Sequence, residues 1–295
     1  MILVTGSSGQ LGTTICSVAR SKGMEVVGLS RNLSKQENSE NEIFSSEDLW
    51  PSIIRRLSPS TIICCDWEGI SQLARENQEL QARNSKRILS NVEAALEVGC
   101  KRIIGIGSQA EYGINTENKV QNELDPLRPV NHYGAEKVKL YSGISELVSD
   151  KEVFFNWLVP FSLYGGNERK ASFVNNAIRQ LRKGDSFQVH NPKVHWNFLH
   201  VSDFAQALLL ILKGSKFSGR INIASQTSKT LLEYALEINT ICGNFGQIIS
   251  NTSLNSLQNN LNPSIDKILS MGWSEKIEFA KGVRMIIDEL LADAQ

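Results

Sequence analysis

The sequence has no excess charge of either sign, no long apolar run and no metal- or redox-type cysteine spacing. Lysine plus arginine number 31 and aspartate plus glutamate 31, so the formal net charge is zero at neutral pH. Without a basic surplus there is no strong field to draw in nucleic acid or an anionic membrane. No stretch approaches the roughly 20 apolar residues that span a bilayer. With a strand-like run starting at Met1, no leader peptide is expected. The five cysteines (16, 64, 65, 100, 242) are odd in number and contain no C-x-x-C pair. Most fall in apolar segments, which predicts buried free thiols. In a strand the neighbours Cys64 and Cys65 would point to opposite faces, which favours packing over redox chemistry. His132, His190, His195 and His200 show no metal-ligand spacing, and no zinc signature exists. Repeats and charged tails are also absent. A cytoplasmic protein with a small-molecule partner is the expectation.

What the sequence does contain is a rhythm. Strand-like runs at Met1–Val4, Glu25–Leu29, Thr61–Cys65, Arg102–Gly107 and Val153–Val159 alternate with helical stretches near 11–21, 48–57, 72–98 and 134–149. This predicts an α/β fold, a doubly wound parallel sheet with helices on both faces. After residue 160 come a Gly-rich loop (Gly165, Gly166), a helix near 172–183 and strands near 186–190 and 196–201. A helix at 203–213, a strand at Gly219–Ala224, helices near 229–241 and 279–292 and an Asn/Ser-rich loop at 250–264 complete the pattern. The expected division is a nucleotide-binding core over 1–160, joined by about 194–224, and a smaller, mainly substrate-binding part over 161–295.

The first strand stops at Thr5-Gly6-Ser7-Ser8-Gly9-Gln10-Leu11-Gly12, and a helix follows. Strand, glycine turn and helix make the context of a dinucleotide site. Gly6 allows the tight turn, Gly9 the approach of a pyrophosphate, and Gly12 close helix–strand packing, with the diphosphate on the helix N-terminus. An ordinary Gly/Ser turn is the plain alternative. Leu29-Ser30-Arg31 ends the second strand and carries no acid to bind a ribose 2′-hydroxyl. Serine and arginine there suit the 2′-phosphate of NADP better than NAD, unless Arg31 is only a solvated loop residue. In Tyr133-Gly-Ala-Glu-Lys137 a phenol and an ammonium lie four residues apart, on one face if a helix begins there. The ammonium would lower a phenol pKa of about 10, and the phenol could exchange a proton with a carbonyl oxygen. A surface pair is the alternative. Ser108, just past the strand Ile103–Ile106, would lie at the crevice end of the sheet and could orient the carbonyl, or merely cap a turn.

Taken together these segments resemble the extended short-chain dehydrogenase/reductase family of sugar-nucleotide epimerases, dehydratases and reductases, over essentially the whole chain. The resemblance matches Thr5–Gly12 to the cofactor turn, and Ser108, Tyr133 and Lys137 to the catalytic residues. It matches Pro160–Gly165 to the nicotinamide side of the cleft and Phe198–Asp203 to a substrate-holding turn. Gly272-Trp273 falls in a C-terminal element, and Asn84 where an asparagine often lies near the site. The implied cofactor-binding set is Gly6, Ser8, Gly9, Gln10, Leu11, Gly12, Ser30, Arg31, Tyr133, Lys137 and Pro160, with no metal. Dehydratases carry Asp-Glu after the catalytic hydroxyl residue; Gln109-Ala110 stands here and cannot ionise, so dehydration is not expected. Val159 and Trp196-Asn197 replace the family's arginine positions. Arg169, Lys170, Arg179 and Arg182 are candidates to supply that charge, or simply a solvated helix face. The motifs are most like reductases of 4-keto-6-deoxy sugar nucleotides. An epimerase on the same fold and a non-catalytic NADP-binding sensor are the rivals. The family often dimerises through helices matching 72–98 and 134–149, which makes a homodimer an open expectation. The roles of Glu111 and His132 are not legible.

Overall fold

The structure, a computed structural model, describes residues 1–31, 41–166, 171–214, 217–251 and 259–292. The chain forms two compact units: Met1–Gly113, Glu123–Pro160 and Ala205–Ile221, and then Ile114–Asn122, Phe161–Phe204 and Asn222–Gln295. Up to Pro160 the elements are β1 (Ile2–Thr5), α1 (Gln10–Ser21), β2 (Val26–Ser30), β3 (Glu42–Phe44), α2 (Trp50–Leu57), β4 (Thr61–Cys64), α3 (Gln72–Arg75), α4 (Gln78–Glu97), β5 (Arg102–Ile106), α5 (His132–Val148) and β6 (Phe154–Pro160). Beyond it follow β7 (Ser162–Tyr164), α6 (Phe173–Arg182), β8 (Ser186–His190), β9 (His195–Trp196), β10 (Phe198–His200), α7 (Val201–Gly214), β11 (Gly219–Ile223), β12 (Lys229–Thr230), α8 (Leu231–Ile241), β13 (Gln247–Asn251), α9 (Asp266–Ser270) and α10 (Phe279–Ala292).

Seven strands form the main sheet in the order β3-β2-β1-β4-β5-β6-β11. The pairings from β3 to β6 are all parallel. Helical crossovers cover both faces of such a sheet, so its central strands read as continuous apolar runs. Accordingly Leu3, Val4, Ile62, Ile63, Ile103 and Ile104 are fully buried. The strand order reverses between β1 and β4, and at that switch point the strands' carboxyl ends open a crevice.

The expected helix over 72–98 is two helices. Asn77 caps α4, its side chain accepting from the Leu80 N–H at 3.0 Å. A capping side chain takes a donor that a continuous helix would bond internally, which splits off α3. Four short strands, β3, β7, β12 and β13, lie outside the sequence expectation; β13 begins just before the expected 250–264 loop and pairs with β8. In the second unit an aromatic cluster of Tyr164, Phe198, Tyr234 and Phe279 forms the core. Tyr234 and Phe279 centroids lie 4.5 Å apart. Asp203 ties two motifs of this unit together, its backbone oxygen accepting from the Trp273 indole at 3.2 Å and its carboxylate from the Ile277 N–H at 2.8 Å.

Candidate active site

The glycine turn is built as its sequence requires. Gly6 has φ +70°, and a methyl group there would lie 2.7 Å from the Asp66 Cα. A methyl at Gly12 would lie 2.3 Å from the Gly6 carbonyl oxygen. Gly9 precedes α1 with no side-chain cap, so Gln10, Leu11 and Gly12 form a helix N-terminus with its positive end toward the turn. Ser8 lies in the turn between them. This cradle, tight at two glycines and lacking a side-chain cap, fits a dinucleotide diphosphate. Below it sits Glu42, which the sequence reading missed. Its carboxylate accepts from the Ser7 hydroxyl at 2.7 Å and pairs with Arg20 at 2.7 Å. Gly28 leaves the space, since a methyl there would fall 2.0 Å from a Glu42 oxygen.

At the end of β2, Ser30 is buried and Arg31 lies between two carboxylates, Glu47 at 3.3 Å and Glu68 at 3.1 Å. The 2′-phosphate expected to engage Arg31 would compete with both.

Ser108, Tyr133 and Lys137 come together in the first unit. Asn131 caps α5 by accepting from the Gly134 N–H at 2.8 Å, placing Tyr133 and Lys137 in its first turns. Both are buried, not the surface pair of the alternative reading. Ser108 shares a hydrogen bond with the Tyr133 phenol, and Lys137 Nζ donates to the Ile106 carbonyl at 2.6 Å. The expected lowering of the phenol pKa by Lys137 does not occur. Burial pushes Tyr133 up, opposed by the Arg75 cation and the Ser108 hydrogen bond. Arg75, not singled out in the sequence, lies over the Tyr133 ring, 4.8 Å from its centroid. Burial likewise holds Lys137 below its ordinary range, against the pull of Glu111 and Asp66. Removing solvation from a charged form has this sign for both groups.

Glu111 is fully buried and faces inward beneath Ser108. It accepts from the Ser108 N–H at 2.7 Å and from the Trp157 indole at 3.1 Å, with Arg220 Nη2 at 3.7 Å. Gly134 permits the closeness of α5 to this turn, because a methyl there would fall 2.6 Å from the Ala110 carbonyl oxygen. Gly134→Ala is expected to destabilise the protein by about 1–3 kcal/mol, the usual cost of overpacking. Chemical denaturation measures it, and an unchanged midpoint would contradict the contact.

Other expected positions are held within the fold. Asn84 is fully buried and grips the loop after β4, donating to the Glu68 carbonyl at 2.8 Å. Val159 is core. Asn197 is bound to Ser225, donating to its carbonyl at 2.9 Å. Pro160 ends β6. Arg179 donates to Asn175 Oδ1 at 3.0 Å and Arg182 closes α6, while Arg169 and Lys170 lie outside the described residues. In the second unit a cavity of about 490 Å³ is lined by Phe173, Phe187, Asn176, Gln180, Gln188 and His190, among others. No helix among the described residues is long and apolar enough to cross a membrane.

A family model described as "NAD dependent epimerase/dehydratase family" matches residues 2–224. CDP-abequose synthase of Yersinia pseudotuberculosis is 23% identical, over 82% of this chain and 85% of that protein. GDP-L-fucose synthase of Sinorhizobium fredii is 22% identical, over 96% and 92% respectively. Among solved structures, UDP-glucose 4-epimerase of Thermus thermophilus in complex with NAD superposes with a TM-score of 0.84 at 20% identity, covering 97% of both chains.

Proposed function

Because this chain belongs to the NAD dependent epimerase/dehydratase family, of the extended short-chain dehydrogenase/reductase type, we propose that it reduces a keto group on a nucleotide-linked deoxy sugar, using NADPH. The observation that supports this reading is the burial of Tyr133 beside Ser108. Buried and pushed upward in pKa, the phenol stays protonated at neutral pH and is an acid before it is a base. The nicotinamide, when bound, supplies the hydride. Ser108 orients the carbonyl, Tyr133 protonates the oxygen as the carbonyl π bond breaks, and Lys137 holds positive charge behind the ring. Gly6, Gly9 and Gly12 seat the diphosphate. A sensor that only bound the cofactor would have no use for the buried Ser108–Tyr133 hydrogen bond.

The test is NADPH consumption by purified protein across a panel of nucleotide-linked 4-keto-6-deoxy sugars. Stoichiometric oxidation with a hydroxylated product supports reduction. Inversion at a sugar carbon without net oxidation makes the protein an epimerase, and silence on both counts leaves a binding protein.

The preference for NADPH is read through Arg31, whose guanidinium must exchange Glu47 and Glu68 for the 2′-phosphate. Arg31→Ala should therefore lower kcat/KM for NADPH relative to NADH by about 10- to 100-fold, the loss of one charge-assisted fork. An unaltered ratio would mean that Arg31 stays with its carboxylates and NAD is the cofactor.

A further inference from the structure

Lys137 is a buried cation, 3% exposed, and Glu136, the nearest acid of its own helix, pairs with Lys139 instead. The Ile106 carbonyl takes one N–H. On another side lies the face of the Trp67 indole, with Nζ 3.7 Å from the ring centroid. The edge of the same indole meets the Tyr133 ring at 5.7 Å and 88°. A cation over an indole face is attracted by the ring quadrupole, most strongly where water is excluded.

Trp67 does not reach this place by packing alone. It sits on the loop after β4, which three side chains of α4 grip: Arg87 before Trp67, Gln81 and Asn84 after it. The Trp67 indole N–H donates to Gln81 Oε1 at 2.8 Å. Gln81, fully buried, donates in turn to the Gly69 and Ala74 carbonyls at 2.9 and 2.7 Å. Asn84 accepts from the Glu68 N–H at 3.2 Å and donates to the Glu68 carbonyl. Arg87 adds a bond to Asp66 Oδ2 at 3.0 Å. Two fully buried amides committed to one surface loop fix the direction of the side chain that the loop carries.

We propose that Trp67 is a positioning residue of the active site, its indole face seating the Lys137 ammonium between the Ile106 carbonyl and the Tyr133 ring, with Gln81 and Asn84 holding the indole in place. This rests on the reading of Tyr133 and Lys137 as the catalytic pair. It leaves one of the three ammonium N–H groups for a bound ligand. The charged and titratable groups facing Lys137 are Glu111, Asp66, Cys64 and Cys65, with the Tyr133 ring 5.8 Å away. Glu111 and Asp66 favour the ammonium from the side of β5 and β4, and burial opposes it. Trp67 adds to the favourable side without adding a charge.

The experiment is an NMR titration of ¹³C-lysine-labelled full-length protein, with Lys137 assigned through Lys137→Met, alongside keto-sugar reduction assays. In the wild type the Lys137 ε-protons should resonate upfield, in the shielding cone of the indole. In Trp67→Leu that shift should vanish and the Lys137 midpoint should fall by about one pH unit. kcat should fall about tenfold at unchanged sugar KM, and the alkaline limb of the pH profile should move to lower pH by the same amount. Trp67→Phe should keep most of the wild-type midpoint. Gln81→Met, which frees the indole without removing it, should show a smaller displacement in the same direction and serves if Trp67→Leu does not fold. Unshifted ε-protons in the wild type, or a midpoint unmoved by these substitutions, overturn the proposal. A wild-type protein that reduces no keto sugar overturns the functional reading instead, and the titration still decides the role of Trp67.

Discussion

Tyr133→Phe should lower kcat for keto-sugar reduction by about 10²- to 10⁴-fold, the range of a lost general acid, while leaving NADPH affinity within about threefold. The separation of the two effects follows from what the substitution keeps. The ring remains under Arg75 and against the Trp67 edge, so the wall of the site is unchanged. The losses are the proton and the hydrogen bond with Ser108, the latter costing about 1 kcal/mol of stability. Initial rates of NADPH oxidation and direct cofactor titration measure the two quantities. A kcat within threefold of wild type would remove Tyr133 from the chemistry. The same residue fixes a pH expectation. Burial raises the phenol above its ordinary value of about 10, so its deprotonation should not cut the rate at any pH up to that value. A rate that collapses near neutral pH must trace to another group, and Lys137, held below its ordinary range, is the one placed to produce it. The sign is opposite for stability. The unfolded chain keeps the lysine protonated over a range where the folded protein has released the proton. Lys137 therefore makes the apoprotein more stable as pH rises from its folded value to its unfolded one.

Glu111→Leu should destabilise the fold by about 3–5 kcal/mol, the usual cost of breaking a buried ion pair from one side. The carboxylate is fully buried and serves three partners: the Ser108 N–H, the Trp157 indole and Arg220. Burial pushes its carboxyl upward, and Arg220 and the two hydrogen bonds draw it back. Without the carboxylate, the guanidinium of Arg220, 7% exposed, keeps a bond to the Glu123 carbonyl at 3.2 Å and its place over the Tyr112 ring but loses the charge of Glu111. Glu111→Gln retains shape and one acceptor and should cost less, about 1–3 kcal/mol. Urea denaturation gives both values. A leucine variant within 0.5 kcal/mol of wild type would show that the pair contributes nothing net. Since the same carboxylate anchors Ser108, both variants should also lower kcat more than they raise KM.

The alternation of apolar runs and amphipathic helices already specified the main sheet, because a parallel strand covered on both faces has to be apolar throughout. Boundaries of its core strands fall within a residue or two of expectation. The glycine turn was equally legible, since positive φ at Gly6 and the absence of room at Gly12 leave no other residue type suitable. Ser108, Tyr133 and Lys137 could be named from motif spacing because two of them share a helix turn and the third ends a strand. The short strands β3, β7, β12 and β13 could not be read. Two to five residues carry too little periodicity, and each strand exists through its partner.

What the sequence determined by itself, then, is the sheet and the turn, with the proposed reacting groups named alongside them, all of which depend on local spacing. The tertiary structure alone decided their electrical state. It buried Tyr133 and so raised a pKa that the neighbouring lysine was expected to lower. It set Arg31 between Glu47 and Glu68, residues 16 and 37 positions further along the chain. It put Trp67 on Lys137, and Glu111 under Ser108 with Arg220 beside it. Solvation and charge pairing depend on distances through space, and residues far apart in the chain meet only when the sheet has brought the ends of its strands together.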